Sequence, residues 1–379
     1  MKLEQLLLDN NSESTIVNVS DGFDTDRATL VLAFGEREFL EDLMPYKILR
    51  ARYKNAEIVI CSTSGQISDT SLIENKLVVT AIEFEKTTIK LFEFNISKER
   101  NLSSFNSRIK HSLVNPELNS ILVLSEGSFV NGTELVQELE SITDSKIPIY
   151  GGLAGDSVNF KKTMVGVNGN AKEGTIALIG FYGDALKLNF GCEGGWSDYG
   201  PEREVNQSEK NVVYQIGNRM ALDLYKEYLG SYADELPGSA LYFPLSMKES
   251  SSASPVVRTI LSIDETTKSM TFAGNIPQGA MVRLMKGNFD KLINAAYDAA
   301  TESSNKNNAP QLAFIVSCVG RKIVLDNRIE EELEAMKETF GPTTMLCGFY
   351  SYGEISPIVE HKACELHNQT ITVVTFNER

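Results

Sequence analysis

Three short segments of the sequence combine glycine with hydroxyl or carboxyl side chains, each directly after a run of apolar residues. They span residues 61–67, 151–156 and 348–355. Glycine permits backbone conformations that bring N–H groups close to a ligand, and free N–H groups in such a loop can bind a carboxylate. The carboxylates of Asp156 and Glu354 could accept hydrogen bonds from an ammonium group. These segments therefore predict the polar part of a pocket for a small molecule.

A fourth segment adds an arginine, and the third segment supplies aromatic side chains. Arg321 ends the sequence Cys-Val-Gly-Arg, and its planar guanidinium can bind a carboxylate through two hydrogen bonds. The aromatic residues between 349 and 352 could form walls for an apolar side chain. Together these are the parts that an amino-acid pocket requires. The candidate ligand-binding residues are Cys61, Ser62, Thr63, Ser64, Gly65, Gly152, Ala154, Gly155, Asp156, Cys318, Gly320, Arg321, Phe349, Tyr350, Ser351, Gly353 and Glu354.

The same residues also have a purely structural interpretation. Glycines after strands often serve turns, Asp156 and Glu354 can cap a turn or a helix, and Arg321 can pair with Glu354 as a bridge between loops. A cysteine at the end of an apolar strand, such as Cys61 or Cys318, usually behaves as a small buried hydrophobe. The sequence alone leaves both interpretations open.

An enzymatic alternative would use Cys318 or Cys61 as a nucleophile. A reactive thiolate needs a base or a positive local field, and Arg321 could supply the field. No histidine lies near either cysteine in sequence, and no hydrolase, metalloprotease or phosphate-loop motif occurs. The prediction is therefore a protein without catalytic activity.

The sequence contains three histidines that could bind a metal or a haem iron: His111, His361 and His367. His361, Cys364 and His367 have a spacing like that of metal ligands, but His367 begins a predicted strand at 368–376. His111 or His361 could be the axial ligand of a haem, although neither lies in a haem-attachment pattern. No metal and no cofactor are predicted, and haem is kept as an alternative.

Three strand–helix–strand units carry the glycine-containing segments, at residues 28–68, 120–157 and 311–356. In the second unit Asn131 is a predicted helix cap, with Glu134 at the capping-box position. Such a unit predicts two parallel strands joined by a helical crossover, and ligands bind beyond the carboxyl ends of such strands. The units either descend from an internal repeat or reuse a common element.

Alternating apolar residues between the units predict antiparallel strands. Residues 76–84 and 88–94 predict one hairpin, and residues 163–167 and 175–181 predict a second around an Asn-Gly turn. Residues 256–285 predict a meander, followed by one long helix. The predicted fold class is mixed α/β, with two domains of mixed β-sheets covered by helices.

Length and composition exclude several classes of protein. The chain has 379 residues, 42% of them hydrophobic, which predicts a globular protein of two domains. A net charge of −15 without a cluster of Lys and Arg argues against binding to nucleic acid or to an acidic membrane surface. The sequence shows no apolar run that could span a membrane and no secretory leader. Five scattered cysteines without a Cys-x-x-Cys pair predict free thiols in a reducing cytoplasm.

The order of the motifs resembles that of FIST proteins. The first two glycine-containing segments are similar to motifs of the FIST N domain, and Gly-Pro-Glu-Arg-Glu-Val resembles the segment that closes it. The Cys-Val-Gly-Arg and Gly-Phe-Tyr-Ser-Tyr-Gly-Glu-Ile sequences are similar to motifs of the FIST C domain. The matching segments are residues 61–67, 151–156, 200–205, 272–277, 318–321 and 348–355.

The resemblance covers nearly the whole chain, from about residue 28 to about residue 376. It implies an N-terminal extension at 1–27, a FIST N-like domain at 28–222 and a FIST C-like domain at 223–379. The family is regarded as sensory, with small ligands and in particular amino acids as its expected signals. Some relatives are described as haem-binding sensors of nitric oxide. Because no signalling module accompanies the two domains, the resemblance implies a separate partner such as a histidine kinase or a chemotaxis component.

Overall fold

The computed structural model describes residues 1–96, 109–250, 255–304, 309–357 and 363–379. His361, considered above as a metal or haem ligand, lies outside these residues. The helices are α1 (Arg37–Leu43), α2 (Tyr46–Arg52), α3 (Gly132–Thr143), α4 (Ala221–Leu229), α5 (Phe289–Ser303), α6 (Val319–Leu325) and α7 (Ile329–Phe340). Short 3-10 turns span Gly230–Glu235, Gly238–Tyr242 and Asp326–Arg328.

The strands of the described residues fall into four sheets. In chain order they are β1 (Lys2–Leu8), β2 (Ser14–Val19), β3 (Leu30–Gly35), β4 (Glu57–Ser62), β5 (Gln66–Ser68), β6 (Ser71–Ile73), β7 (Leu77–Glu83), β8 (Thr88–Asn95), β9 (Leu118–Ser125), β10 (Ile149–Leu153), β11 (Val165–Val167), β12 (Thr175–Tyr182), β13 (Leu186–Glu193), β14 (Ser197–Asp198), β15 (Arg203–Glu209), β16 (Val212–Ile216), β17 (Arg219–Met220), β18 (Leu245–Lys248), β19 (Val256–Arg258), β20 (Ile260–Asp264), β21 (Ser269–Phe272), β22 (Met281–Lys286), β23 (Leu312–Cys318), β24 (Met345–Ser351), β25 (Gly353–Pro357), β26 (Cys364–His367) and β27 (Ile371–Glu378). The mixed α/β class predicted from the sequence is confirmed.

Each predicted strand–helix–strand unit forms a parallel pair of buried strands. The pairs are β3 with β4, β9 with β10, and β23 with β24. These strands are apolar over nearly their whole length because both faces of each sheet are covered. In the second unit the side chain of Asn131 accepts hydrogen bonds from the N–H groups of Thr133 and Glu134, which confirms the predicted cap.

The three units are joined by an exchange of strands. The strand that follows each parallel pair leaves its own sheet and covers the edge of another pair. Thus β5, which follows β4, pairs with β24; β25, which follows β24, pairs with β10; and β11, which follows β10, pairs with β4. The exchange is cyclic, so each six-stranded sheet is completed by a strand from another unit. We call these three sheets the ring.

Two predicted hairpins are wrong for the same reason. Strands β7 and β8 are neighbours in sequence, but β7 pairs with β1 and β3 whereas β8 crosses to the second sheet and pairs with β12. Likewise β11 belongs to the first sheet and β12 to the second. An alternating pattern identifies a strand and its buried face, but it does not identify the sheet whose open edge the strand covers.

Several other segments also differ from the sequence-based prediction. In the predicted meander β20 pairs with β21, but β22 pairs with β18 and β15 instead. The segment predicted as an N-terminal extension supplies β1 and β2 to the first sheet, where β1 pairs with β7. Helix α6 follows β23 directly, where the sequence suggested a loop.

The fourth sheet is antiparallel and is inserted between β13 and α5. Its strands have the order β19-β18-β22-β15-β16-β21-β20, with β14 beside β22 and β17 beside β16. Together with α4 it encloses a separate apolar core. The three sheets of the ring have their own core. In it the aromatic side chains of Phe34 and Phe349 stack with centroids 4.9 Å apart. Among the described helices, none combines the length and the apolar character that a membrane crossing needs.

A carboxylate at the end of β27 accepts hydrogen bonds from the connection between the first two sheets. Glu378 accepts hydrogen bonds from the backbone N–H groups of Glu85, Lys86 and Thr87, at 2.8, 2.9 and 2.7 Å. Burial of the Glu378 carboxylate opposes its charge, but these hydrogen bonds outweigh that effect and lower the pKa of Glu378 to about 2. The charged carboxylate therefore stabilises the crossover from β7 to β8.

Glu378→Gln should lower the free energy of unfolding by about 1.5–3 kcal/mol near neutral pH, because a charged acceptor of several hydrogen bonds is lost. Since the folded pKa lies below the ordinary 4.5, this advantage of the wild type should disappear as the pH falls from about 4.5 towards about 2. Urea unfolding at several pH values measures the difference, with the exposed Glu85→Gln variant as control. An equal loss of stability at low and neutral pH would contradict the assignment.

Candidate functional site

The loops that follow the three parallel pairs meet at one point inside the ring. Each loop donates one backbone N–H to a carbonyl oxygen of another loop, and the donor lies two residues after the acceptor in every loop. The bonds run from Gly155 N to Ser62 O (2.9 Å), from Ser64 N to Tyr350 O (2.8 Å) and from Tyr352 N to Leu153 O (3.2 Å). These three bonds form a closed cycle, so the three loops lie close together.

All of the candidate ligand-binding residues named from the sequence are buried. Much of their hydrogen bonding is internal: the Ser62 hydroxyl donates to Gly155 O at 2.9 Å, and the Ser64 hydroxyl donates to Ser157 O at 3.1 Å. Asp156 pairs with Arg37 from α1 at 2.9 Å. The loops thus form a rigid centre, and ligand contact by their side chains stays a prediction.

The guanidinium of Arg321 is fully engaged in structural contacts. It forms a buried ion pair with Glu332 of α7, at 2.9 Å, with both side chains 0% exposed. Its Nη1 and Nη2 atoms also donate to the carbonyls of Gly194 and Leu292, at 2.6 and 2.8 Å. The alternative pairing with Glu354 is therefore wrong, because Glu332 is the carboxylate within reach.

Glu332 collects two further hydrogen bonds, from the hydroxyls of Ser317 and Tyr350, at 3.1 and 2.9 Å. The sequence contains a signal for this role. Glu332 lies three residues after Ile329 and four before Met336, on the apolar face of α7. A charged residue in that position indicates a buried partner, which here is Arg321.

Arg321→Met should lower the free energy of unfolding by about 3–5 kcal/mol, because it leaves the carboxylate of Glu332 buried and unpaired. The matched control is Arg328→Met, whose ion pairs with Asp290 and Glu331 are exposed, so its effect on stability should be much smaller. Urea unfolding of both variants measures the difference. Equal effects would show that the buried pair has no special role.

Glu354 is a second buried carboxyl at this centre. It accepts hydrogen bonds from the Ser351 hydroxyl at 2.6 Å, and from the N–H and hydroxyl of Thr370 at 3.2 and 2.8 Å. Burial raises the pKa of Glu354 to about 7, although these hydrogen bonds and the charge of Arg321 act in the opposite direction. The side chain is therefore partly protonated near neutral pH.

Glu354→Gln should change how stability depends on pH. Because the folded pKa of about 7 exceeds the ordinary 4.5, the folded wild type retains a proton that the unfolded chain loses, so its stability falls as the pH rises between these values. Glutamine can accept from Thr370 and donate to Ser351 without titrating. Its stability relative to wild type should therefore rise by about 1–3 kcal/mol from about pH 5 to about pH 8.

Urea unfolding across that pH range measures the effect, and Glu338→Gln, on the exposed face of α7, serves as control. Parallel stability curves for wild type and Glu354→Gln would sink the assignment of the raised pKa.

The two cysteines considered as nucleophiles lie in surroundings that disfavour a thiolate. Both Cys61 and Cys318 are buried, and burial raises the pKa of each thiol well above its usual range. The positive charge of Arg321 is already paired with Glu332. The charge of Arg321 still lowers the pKa of Cys318, but burial and the carboxylate of Glu354 outweigh it.

Neither His111 nor His367 lines one of the two cavities described below. His111 is exposed. His367 is buried, and both burial and the nearby Arg258 lower its pKa to about 4. The positive charge of Arg258 disfavours a metal cation at the same place. No group of three His, Cys, Asp or Glu side chains suited to a metal ion occurs in the parts of the chain described.

A cavity of 390 Å³ opens where the loop after Asp156 meets the inserted sheet. Its walls come from five places in the fold: this loop, the Gly230–Glu235 turn, the Gly238–Tyr242 turn, β20 and α6. Apolar side chains of the wall are Val158, Phe160, Leu241, Ile260, Leu261 and Ile323. A volume of this size lies within the range of small-molecule sites. No pattern in the sequence indicates this cavity, because the residues of its walls belong to no motif.

The motif residues position the walls of this cavity. The ring of Tyr352 stacks on that of Phe160 with centroids 4.5 Å apart, and its hydroxyl accepts a hydrogen bond from the Phe160 N–H at 3.0 Å. Ile323 lies on α6, two residues after the anchored Arg321. A second cavity, of 490 Å³, lies on the other side of the same turn and shares Tyr242 with the first.

Comparison with known families agrees with this architecture. The family model of the FIST N domain matches residues 29–219, and that of the FIST C domain matches residues 221–357. The chain is also similar to an uncharacterised protein of Methanocaldococcus jannaschii, with 24% identity over 209 residues. That match covers 51% of this chain and 40% of the relative, so it spans about two fifths of the relative's length. This chain therefore belongs to the FIST family, whose domains are sensory domains of signalling proteins.

Proposed function

We propose that this protein is a small-ligand-binding sensor, and that its ligand, an amino acid or a related metabolite, occupies the 390 Å³ cavity. One observation carries the proposal. The cavity joins the loop at 157–160, within the FIST N match, to the turn, strand and helix supplied by the FIST C match. A ligand in this position contacts both domains at once.

The character of the walls supports a ligand with an apolar side chain. Val158, Ile260, Leu261 and Ile323 supply aliphatic surface, and Phe160 supplies a ring held in place by Tyr352. Burying such a side chain contributes about 1.5–3 kcal/mol to binding. A ligand that prefers one arrangement of the walls stabilises that arrangement, which is the basis of a sensory response.

The proposal includes a separate signalling protein that reads the response, such as a histidine kinase or a chemotaxis component. Apolar side chains at the mouth of the cavity support such contact: Val158 is 63% exposed and Leu261 is 40% exposed. We place the protein in the cytoplasm because its five cysteines are free thiols. No catalytic step belongs to the proposal, in keeping with the buried, protonated thiols described above.

A thermal-shift screen of the twenty amino acids tests the proposal. A ligand at 100 times its dissociation constant should stabilise the folded protein by about 2.7 kcal/mol. Leu261→Trp should abolish this shift, because the larger ring fills the cavity from a partly exposed position that tolerates it. The control Ile16→Trp, on an exposed position of β2, should keep the shift.

Two results would contradict the proposal. One is the absence of a shift with any amino acid or related metabolite. The other is a shift of the same size in Leu261→Trp as in the wild type, which would place the ligand elsewhere.

A further inference from the structure

Strand β2 ends the first sheet, and its outer edge is open. Its only partner among the described strands is β1, and no hydrogen bond links residues 14–19 to another described segment. Every residue of the strand is exposed. The outer edge therefore presents a row of free backbone N–H and C=O groups, which is a template for pairing with a further strand.

The other strands that end the four sheets are protected against such pairing. Strands β8, β13, β20 and β26 each contain at least one Lys, Asp or Glu, and β6, β11 and β19 have three residues each. Charged side chains and short length are two ways in which proteins keep a sheet edge from pairing. Strand β2 has neither protection, because it is six residues long and its sequence, Ser-Thr-Ile-Val-Asn-Val, carries no charge.

Three of its six side chains are apolar and largely exposed: Ile16 by 51%, Val17 by 46% and Val19 by 49%. Ile16 lies opposite Leu6 of β1, which packs in the core beneath α1 and α2. Val19 lies opposite Glu4, two residues from Leu6 and hence on the same face. A shift in register makes Val17 an extra residue, so Ile16 and Val19 share this face. The apolar layer beneath the two helices thus continues to the open edge.

A second copy of this chain fits the edge. When two β2 strands pair antiparallel, the two-fold axis that relates them is perpendicular to the sheet, so each face of one sheet continues into the same face of the other. Ile16 and Val19 of both copies then meet on one face. Charge also favours this contact, because two chains of net charge −15 repel each other least along residues 14–20, which carry no charge.

We propose that this protein forms a two-fold dimer through antiparallel pairing of β2 with β2 of a second copy. The pairing joins the first sheets of the two copies into one continuous sheet and covers the apolar side chains at the edge. It closes at two copies, because the long uncharged edge occurs once among the described strands. The inference concerns assembly and is independent of the proposed ligand.

Sedimentation velocity of the full chain over a wide range of concentrations tests the dimer, whose mass should be twice the chain mass of 41.9 kDa. Ile16→Lys and Val19→Lys should each raise the dissociation constant roughly tenfold or more, because pairing brings like charges together on one face. The matched control is Tyr297→Lys, at a 52% exposed position of α5, which should leave the dissociation constant unchanged. All three substitutions lie at exposed positions, so the melting temperatures of the monomers should stay close to that of the wild type.

Amide hydrogen exchange of the wild type shows whether backbone pairing holds the dimer together. Amides within residues 14–19 that point away from β1 should exchange roughly tenfold or more slowly above the dissociation constant than below it. Amides of β8, the edge strand of the second sheet, should exchange at the same rate at both concentrations. This comparison uses a single protein, so it does not depend on how the variants fold.

Several results would overturn the proposal. One is a wild type that stays monomeric up to millimolar concentration, and another is a dimer that Ile16→Lys and Val19→Lys leave intact, which would place the interface elsewhere. A dimer without protection of β2 would exclude strand pairing. Open-ended oligomers would show that β2 pairs with a different edge, and dimerisation only in the presence of a foreign protein would show that the occupant is not a second copy.

Discussion

The structure depends on how its parallel strand pairs complete their edges. A parallel pair with a helical crossover leaves backbone N–H and C=O groups unpaired on its outer side, and such groups must find partners when they are buried. Here a strand from another unit supplies these partners to each of the three parallel pairs. The strands are β5, β11 and β25. Because the exchange closes on itself, each sheet requires the other two, and the three loops at the centre are fixed by one cycle of backbone hydrogen bonds.

The centre formed by the three loops in turn positions the walls of the cavity. The ion pair between Arg321 and Glu332 holds α6 against α7, and α6 carries Ile323 to the cavity. The stacked pair of Tyr352 and Phe160 holds the opposite wall. The motifs that stand out in the sequence therefore act mainly as the frame of the candidate site, whereas the walls of the cavity come from residues outside them.

Local chemistry explains which parts of the fold could be predicted. The parallel pairs and the cap at Asn131 depend on neighbouring residues, so periodicity and spacing sufficed for them. The partner of β8 depends on an edge contributed by a distant segment, and no local pattern encodes it. A signal for Arg258 does exist: it lies two residues after the buried Val256, and thus on the inward face of β19. The acceptors around its guanidinium, the carbonyls of Val257, Asn275 and Leu366, become visible only in three dimensions.

The cyclic exchange of strands also limits how this protein can move. The boundary between the two family domains lies near residue 220, yet β5 and β13 before it share a sheet with β23, β24 and β27 after it. Opening the molecule at that boundary would break backbone ladders, so a clamshell motion of one domain against the other is mechanically forbidden. Among the described strands, the inserted sheet forms no ladder with the ring and contacts it through side chains and turns. A tilt of this sheet against the ring would therefore break no ladder between the described strands, unlike an opening at the domain boundary.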